Sequence, residues 1–283
     1  MSIQMKSAEN AFSKTFASIL VPAAYVMALV IYMFLLCSSG NFEGADKLPS
    51  PSVMERFGGS AYGSAHPSGY LGTIYKGGFI VPILMAMMII VVAVCIERFL
   101  TISMAKGSGD LDTLVRNVQS NLNKGSIDEA ISACDKNKGA VGNVIRAGLV
   151  KYRLMESDTH LAKDQKVMAI QKEIEEATSL ELPMLERNLV LLATITSVGT
   201  LVALLGTVLG MIRAFRALAN AGAPDAVALS TGISEALINT ALGISTSAVA
   251  IVFYNIFTSQ IDSMTYRIDE AGFSIAQTYA EKH

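Results

Sequence analysis

The chain has 283 residues, of which 52% are hydrophobic and 16% charged, with a formal net charge of −2 and a mean hydropathy of +0.45. Soluble domains carry about 25% charged residues, so this balance excludes an ordinary soluble protein, and the near-zero charge excludes a broadly basic nucleic-acid binder. No P-loop, no G-x-G-x-x-G after a strand and no H-E-x-x-H occurs, so no nucleotide cofactor or catalytic zinc is expected.

The first apolar run, "TFASILVPAAYVMALVIYMFLLC", spans Thr15 to Cys37, and crossing a bilayer takes about 20 residues. Lys6 and Lys14 precede it as they would a signal peptide, but its apolar core is long and Leu36 stands where cleavage requires a small residue. An anchor helix over 15–37 is therefore expected, after a short N-terminus over 1–14. Residues 38–76 are rich in Gly, Pro, Ser and Tyr and read as a loop. The second run, "GGFIVPILMAMMIIVVAVCIERF", predicts a span over 77–99 with Pro82 near its start.

Residues 100–187 predict a helical extramembrane domain. In "DLDTLVRNVQSNL", Leu111, Leu114, Val115 and Val118 fall at i, i+3, i+4 and i+7. "SIDEAISACDK" places Glu129 three residues after Ser126, a capping-box pattern. Pro183 interrupts the charged helix that follows and could kink it. A third span is expected over 188–216, a turn over 217–225, a fourth span over 226–258 and a helical tail over 259–283. The fold class is thus all-α, a polytopic protein with four transmembrane helices.

Twelve Lys and Arg residues lie between spans two and three, against Lys47, Arg56 and Lys76 between spans one and two. By the positive-inside rule the domain over 100–187 and both termini are cytoplasmic, and the 38–76 loop and the 217–225 turn are periplasmic. Arg213 and Arg216 then fall at the outer end of span three, against the rule, and read as functional contacts at the outer face or as snorkelling side chains that reach lipid headgroups. Cys37, Cys95 and Cys134 match no metal pattern and read as buried fillers; His66, His160 and His283 read as exposed.

Spans three and four give up apolar surface for small and polar side chains. Thr196, Thr200 and Thr207 fall within about 40° of one another on the third helix. Gly206 and Gly210 form a G-x-x-x-G pair that admits a neighbouring helix, and Gly243 is a further small packing position on span four. On the fourth helix Thr240, Ser247 and Tyr254 repeat every seven residues, while Glu235, Asn239 and Thr246 follow a face about 140° away. A carboxylate costs upward of roughly 3 kcal/mol in a bilayer, so Glu235 should face a polar cavity or pair with a polar neighbour. The plain alternative for the hydroxyls is that each bonds its own i−4 carbonyl and does nothing else.

These residues resemble a family. "LERNLVLLATITSVGTLVALLGTVLGMIRAF" followed by "ISEALINTALGISTSAVAIVFYN" is similar to the signature of the ExbB/TolQ/MotA proton-channel family, and "YKGGFIVPIL" with "IERF" resembles the span before its cytoplasmic domain. The core motif resembles ExbB; the extra first span is similar to ExbB-like proteins of the Bacteroidetes type. Where the family usually has Ala-Pro, this chain has Gly199-Thr200.

The resemblance implies a homopentamer around two copies of an ExbD-like single-span partner that carries the protonatable aspartate. It matches Thr207 and Thr240 to pore-lining threonines, Glu235 to the carboxylate at the start of the last span and Asn255 to the asparagine near its inner end. Together with Thr196, Thr200 and Ser247 these form the expected proton pathway. The function expected is an inner-membrane proton-channel subunit that energises TonB-dependent outer-membrane transport, not an enzyme, with a TonB-like protein and membrane lipids as further partners and no cofactor. A flagellar or gliding-motility stator and a non-conducting scaffold are the alternatives.

Overall fold

The computed structural model describes residues 18–45, 48, 50–57, 59, 61, 67–219 and 225–282. The expected N-terminus over 1–14, Lys47, His66, His283 and most of the 217–225 turn lie outside the described residues. All regular structure among the described residues is helical, apart from one isolated bridge between Phe42 and Pro67. Among the described residues four helices are long and apolar enough to cross a membrane, within Ser18–Leu36, Ile80–Lys124, Lys163–Ala219 and Ala226–Lys282.

Among the described residues ten helices follow in chain order, besides a short 3-10 turn at Ser39–Asn41. They are α1 (Ser18–Leu36), α2 (Val53–Phe57), α3 (Tyr70–Tyr75), α4 (Ile80–Lys106), α5 (Leu111–Lys124), α6 (Ile127–Asn137), α7 (Ala140–Ser157), α8 (Lys163–Glu186), α9 (Leu189–Ala219) and α10 (Ala226–Lys282). They form two compact units. One combines the chain up to Cys95 with Leu191–Tyr254; the other combines Ile96–Val190 with the chain from Asn255 onward.

In the first unit α1 ends in a wider π-type turn over Ile31–Leu36, where the Cys37 N–H donates to Tyr32 O at 3.2 Å. The described part of the segment read as a loop contains a 3-10 turn at Ser39–Asn41 and the short helices α2 and α3 around a buried aromatic centre. Tyr32 stacks on Tyr75 with ring centroids 4.9 Å apart, and Phe42 meets Tyr75 edge-on at 5.7 Å. The Tyr32 hydroxyl donates to Tyr75 O at 3.2 Å, and the Tyr75 hydroxyl donates to Arg56 O at 2.8 Å. Turn-rich composition concealed this packing because the ordering contacts join residues 43 and 19 positions apart.

The capping box forms here and not at Ser126. Ser52 N–H donates to the Glu55 carboxylate at 2.7 Å, and Glu55 N–H donates to Ser52 Oγ at 3.3 Å. Ser126 makes no side-chain cap. Its N–H donates instead to Asn121 O, closing the C-terminus of α5 behind Gly125 at φ +79°, so its backbone serves the helix before it.

The second unit packs α5 to α8 as successive antiparallel neighbours under the last part of α10. Val118, Leu122, Val144, Ile145, Leu149 and Ile170 are buried with Ile268, Ile275 and Tyr279 of α10. Tyr152 and Tyr279 meet edge-to-face at 4.8 Å, and Arg267 pairs with Asp112 at 2.8 Å. Asn137, 3% exposed, stitches the exit of α4: its Nδ2 donates to Ser108 O at 3.1 Å and its Oδ1 accepts from Gly139 N–H. Pro183 lies inside α8, and the helix ends later, at Glu186, with Asn188 at φ +64°. The break sits there because the buried Arg98 guanidinium donates to Met184 O and Leu185 O, satisfying carbonyls that have no partner within the helix. Arg98 is in turn neutralised by Glu97, to which Asn188 also donates.

Candidate functional site

Helices α9 and α10 run antiparallel within the first unit along a seam of small residues. Gly232 faces Ala214 and Gly210, Gly210 faces Ala236, Gly206 faces Asn239, and Gly243 faces Ala203 and Gly199. A Cβ on Gly210 would lie 2.8 Å from Ala236 N and from Gly232 O; one on Gly206 would lie 2.7 Å from Asn239 Cβ. The backbones therefore touch, which only small residues permit. Sequence reasoning singled out Gly206, Gly210 and Gly243 and missed Gly199 and Gly232, although Gly199 precedes Gly206 by seven residues and Gly232 precedes Gly243 by eleven, spacings that keep one helix face.

The seam brings two hydroxyl pairs together. Thr207 Oγ1 and Thr240 Oγ1 lie 2.5 Å apart, and Thr200 Oγ1 donates to Ser247 Oγ at 3.0 Å. Gly199 makes the second pair possible, because a Cβ there would lie 2.9 Å from Ser247 Oγ. Thr207 Oγ1 is also 3.1 Å from Ala203 O, and Thr240 Oγ1 is 3.0 Å from Ala236 O. Two hydroxyl protons face three acceptor contacts, so one threonine donates across the seam while the other bonds its own helix. Either can take either part, and the bond can reverse by rotation of the hydroxyls. Thr207 and Thr240 are half-buried, open on one side.

The other polar face of α10 is buried. Glu235 is 3% exposed, Asn239 0% and Thr246 1%. Arg213 Nη1 donates to both oxygens of Glu235, at 2.5 and 2.6 Å. Arg213 thus pairs within its own protein while 46% of its side chain remains exposed. Asn239 Nδ2 donates to Gly77 O at 3.0 Å, and its Oδ1 is buried with no protein partner.

Other expected site residues stand apart. Thr196 bonds only its own helix, through Leu192 O at 2.9 Å, and Thr246 does the same with Leu242 O at 2.8 Å. Arg216 is exposed near the end of α9. Asn255 is exposed and belongs to the second unit, about four helical turns along α10 from Thr240. Among the described residues no three His, Cys, Asp or Glu side chains cluster as metal ligands.

Residues 136–270 match the MotA/TolQ/ExbB proton channel family. The chain is similar to a Synechocystis sp. protein named ExbB-like 3, 37% identical over 112 residues, covering 39% of this chain and 53% of that one. It is similar to the Tol-Pal system protein TolQ of Pseudomonas aeruginosa, 31% identical over 127 residues, 45% of this chain and 55% of that one. It is also 40% identical over 72 residues to the biopolymer transport protein ExbB of Salmonella typhimurium, 25% of this chain and 30% of that one. The chain thus spans about half the length of the first two relatives and less of the third.

Proposed function

Through residues 136–270 the chain belongs to the MotA/TolQ/ExbB proton channel family, and on that premise we propose that it is a proton-channel subunit of a bacterial inner membrane. Five copies surround an ExbD-like single-span partner. Proton flow along their inner walls is converted to work on outer-membrane transport through a TonB-like protein. The twelve Lys and Arg residues between spans two and three support a cytoplasmic second unit, with both termini on that side and the 38–76 segment facing the periplasm.

The observation that carries this reading is the Thr207–Thr240 pair. A proton reaches a carboxylate inside a bilayer only through water and groups that both accept and donate. Threonine hydroxyls do both without competing for the charge, and a reversible hydroxyl–hydroxyl bond resets after each transfer. The electrical part of the proton-motive force supplies about 2.3 kcal/mol per charge per 100 mV. The Thr200–Ser247 pair extends the same pathway toward the cytoplasmic side. Transport through a TonB-like protein is favoured over Tol-Pal-type work by the ExbB-named relatives. The TolQ relative favours envelope maintenance as the second reading.

The test is conversion of either threonine to valine, close in volume but without the hydroxyl. In vesicles holding the chain with its single-span partner, Thr207→Val or Thr240→Val lowers proton flux by at least about tenfold, equivalent to 1.4 kcal/mol in a barrier, while the complex still assembles. Full flux in both variants removes the hydroxyl pathway. Receptor-dependent nutrient uptake lost in these variants, with detergent resistance intact, separates TonB-type from Tol-Pal-type work.

A further inference from the structure

Glu235 lies in the same spans as the hydroxyl pathway yet is built into a different surroundings. Its two oxygens are both held by Arg213 Nη1. Over it lies the turn that leads into α4. Gly78 has φ +79°, and a Cβ there would collide with Glu235 Oε1 and stand 3.4 Å from Arg213 Nη1. Gly59, also left-handed at φ +72°, packs in turn on Gly78: its Cβ would lie 2.8 Å from Gly78 Cα and 3.0 Å from the Tyr32 hydroxyl. One turn along α10, Asn239 bonds Gly77 O. Gly78 therefore brings backbone against a carboxylate and its guanidinium, with Gly59 packed behind it and Gly77 tied to Asn239.

This geometry is unsuited to carrying protons. A proton arriving at Glu235 would compete with a guanidinium that stays charged at every working pH. Neutralising the acid would forfeit the charge assistance of the two hydrogen bonds that Arg213 donates to it. The face is also turned about 140° around α10 from Thr240. Resting on the proton-channel reading above, we propose that Glu235 is a positioning residue, a fixed anion held by Arg213. Through the pair, and through Asn239, the Gly77–Gly78 turn, with Gly59 and Tyr32 of α1 packed behind it, is fastened to α9 and α10.

The experiment pairs assembly with conductance in the complete chain co-purified with its partner and placed in liposomes. Arg213→Met leaves the buried Glu235 carboxylate unpaired, Glu235→Met removes the anion that holds Arg213 beside the Gly77–Gly78 turn, and each lowers the yield of assembled complex. The double variant restores the yield and conducts to within about twofold, because a buried ion pair replaced by apolar groups of similar size is often neutral. A double variant that assembles but does not conduct overturns the proposal, since a titrating carboxylate was then required. A double variant no better assembled than the singles overturns it too, because the residues are then uncoupled. Glu235→Gln keeps size and an acceptor for Arg213, and it conducts; an assembled but non-conducting glutamine variant also overturns the proposal. Failure of the channel reading itself looks different: the unmutated complex passes no protons, while the assembly coupling of Arg213 and Glu235 is still measured.

Discussion

Cys134, 2% exposed on α6, has its thiol pushed up to about 12, chiefly by burial and further by Asp135. The thiolate is the reactive form, so a raised pKa keeps the group protonated and inert at neutral and mildly alkaline pH. At pH 8 about one thiol in ten thousand is ionised. A soluble maleimide applied to the native protein at pH 8 should leave Cys134 unmodified, and denaturation should make it fully reactive; rapid native labelling would contradict the burial seen here. The hydroxyls of Thr207 and Thr240 show the opposite use of a small polar group. They are half-open, in contact with each other, and share too few protons to satisfy every acceptor at once.

The α9–α10 seam depends on side chains that are missing. At Gly210 any Cβ meets the backbone of α10 at Ala236 N and Gly232 O, whereas at Gly40 a Cβ meets nothing within 4 Å. Gly210→Val should separate the helices, cost about 1–3 kcal/mol through overpacking and part the Thr207–Thr240 pair. Proton flux and the melting temperature of the purified complex should both fall. Gly40→Ala should change neither. A Gly210 variant with unaltered melting would mean that the helices do not approach as closely as described. Elsewhere helices end where a side chain from a distant element meets their last carbonyls. Arg98 serves α8 in this way, and Lys282 serves α5 by donating to Leu122 O and Asn123 O. Neither cap is readable from local sequence, since the partners lie 86 or more residues away.

For the whole chain, the lysine and arginine asymmetry supports the orientation proposed above. Asp158 to Ala162 join α7 to α8; Thr159 to Ala162 are exposed and Asp158 is half-buried. A cysteine placed at Thr159, in a background lacking the three natural cysteines, should react with a membrane-impermeant thiol reagent in inverted vesicles. It should be protected in intact spheroplasts. Labelling in spheroplasts would reverse the orientation and move the Arg213–Glu235 pair to the cytoplasmic end of α9.

Much of this protein is written in its periodicities. Four apolar runs, the Leu111–Val118 stripe and the absence of strand alternation specify an all-helical chain with four candidate spans, because burial in lipid or core demands a local pattern that composition reveals. The threonines, the small glycines and the costly carboxylate also stand out locally, since each violates what an apolar helix otherwise prefers. Which of them meet was decided only in three dimensions. Helical phase separates Glu235 from Thr240, but only the antiparallel register of α9 and α10 sets Thr207 on Thr240 and Arg213 on Glu235. Likewise, only the folded 38–76 segment carries Gly78 onto that pair, through aromatic contacts among residues far apart in the chain. Local preference selects helices, whereas their partners depend on how closely two backbones can approach, a property of both surfaces together.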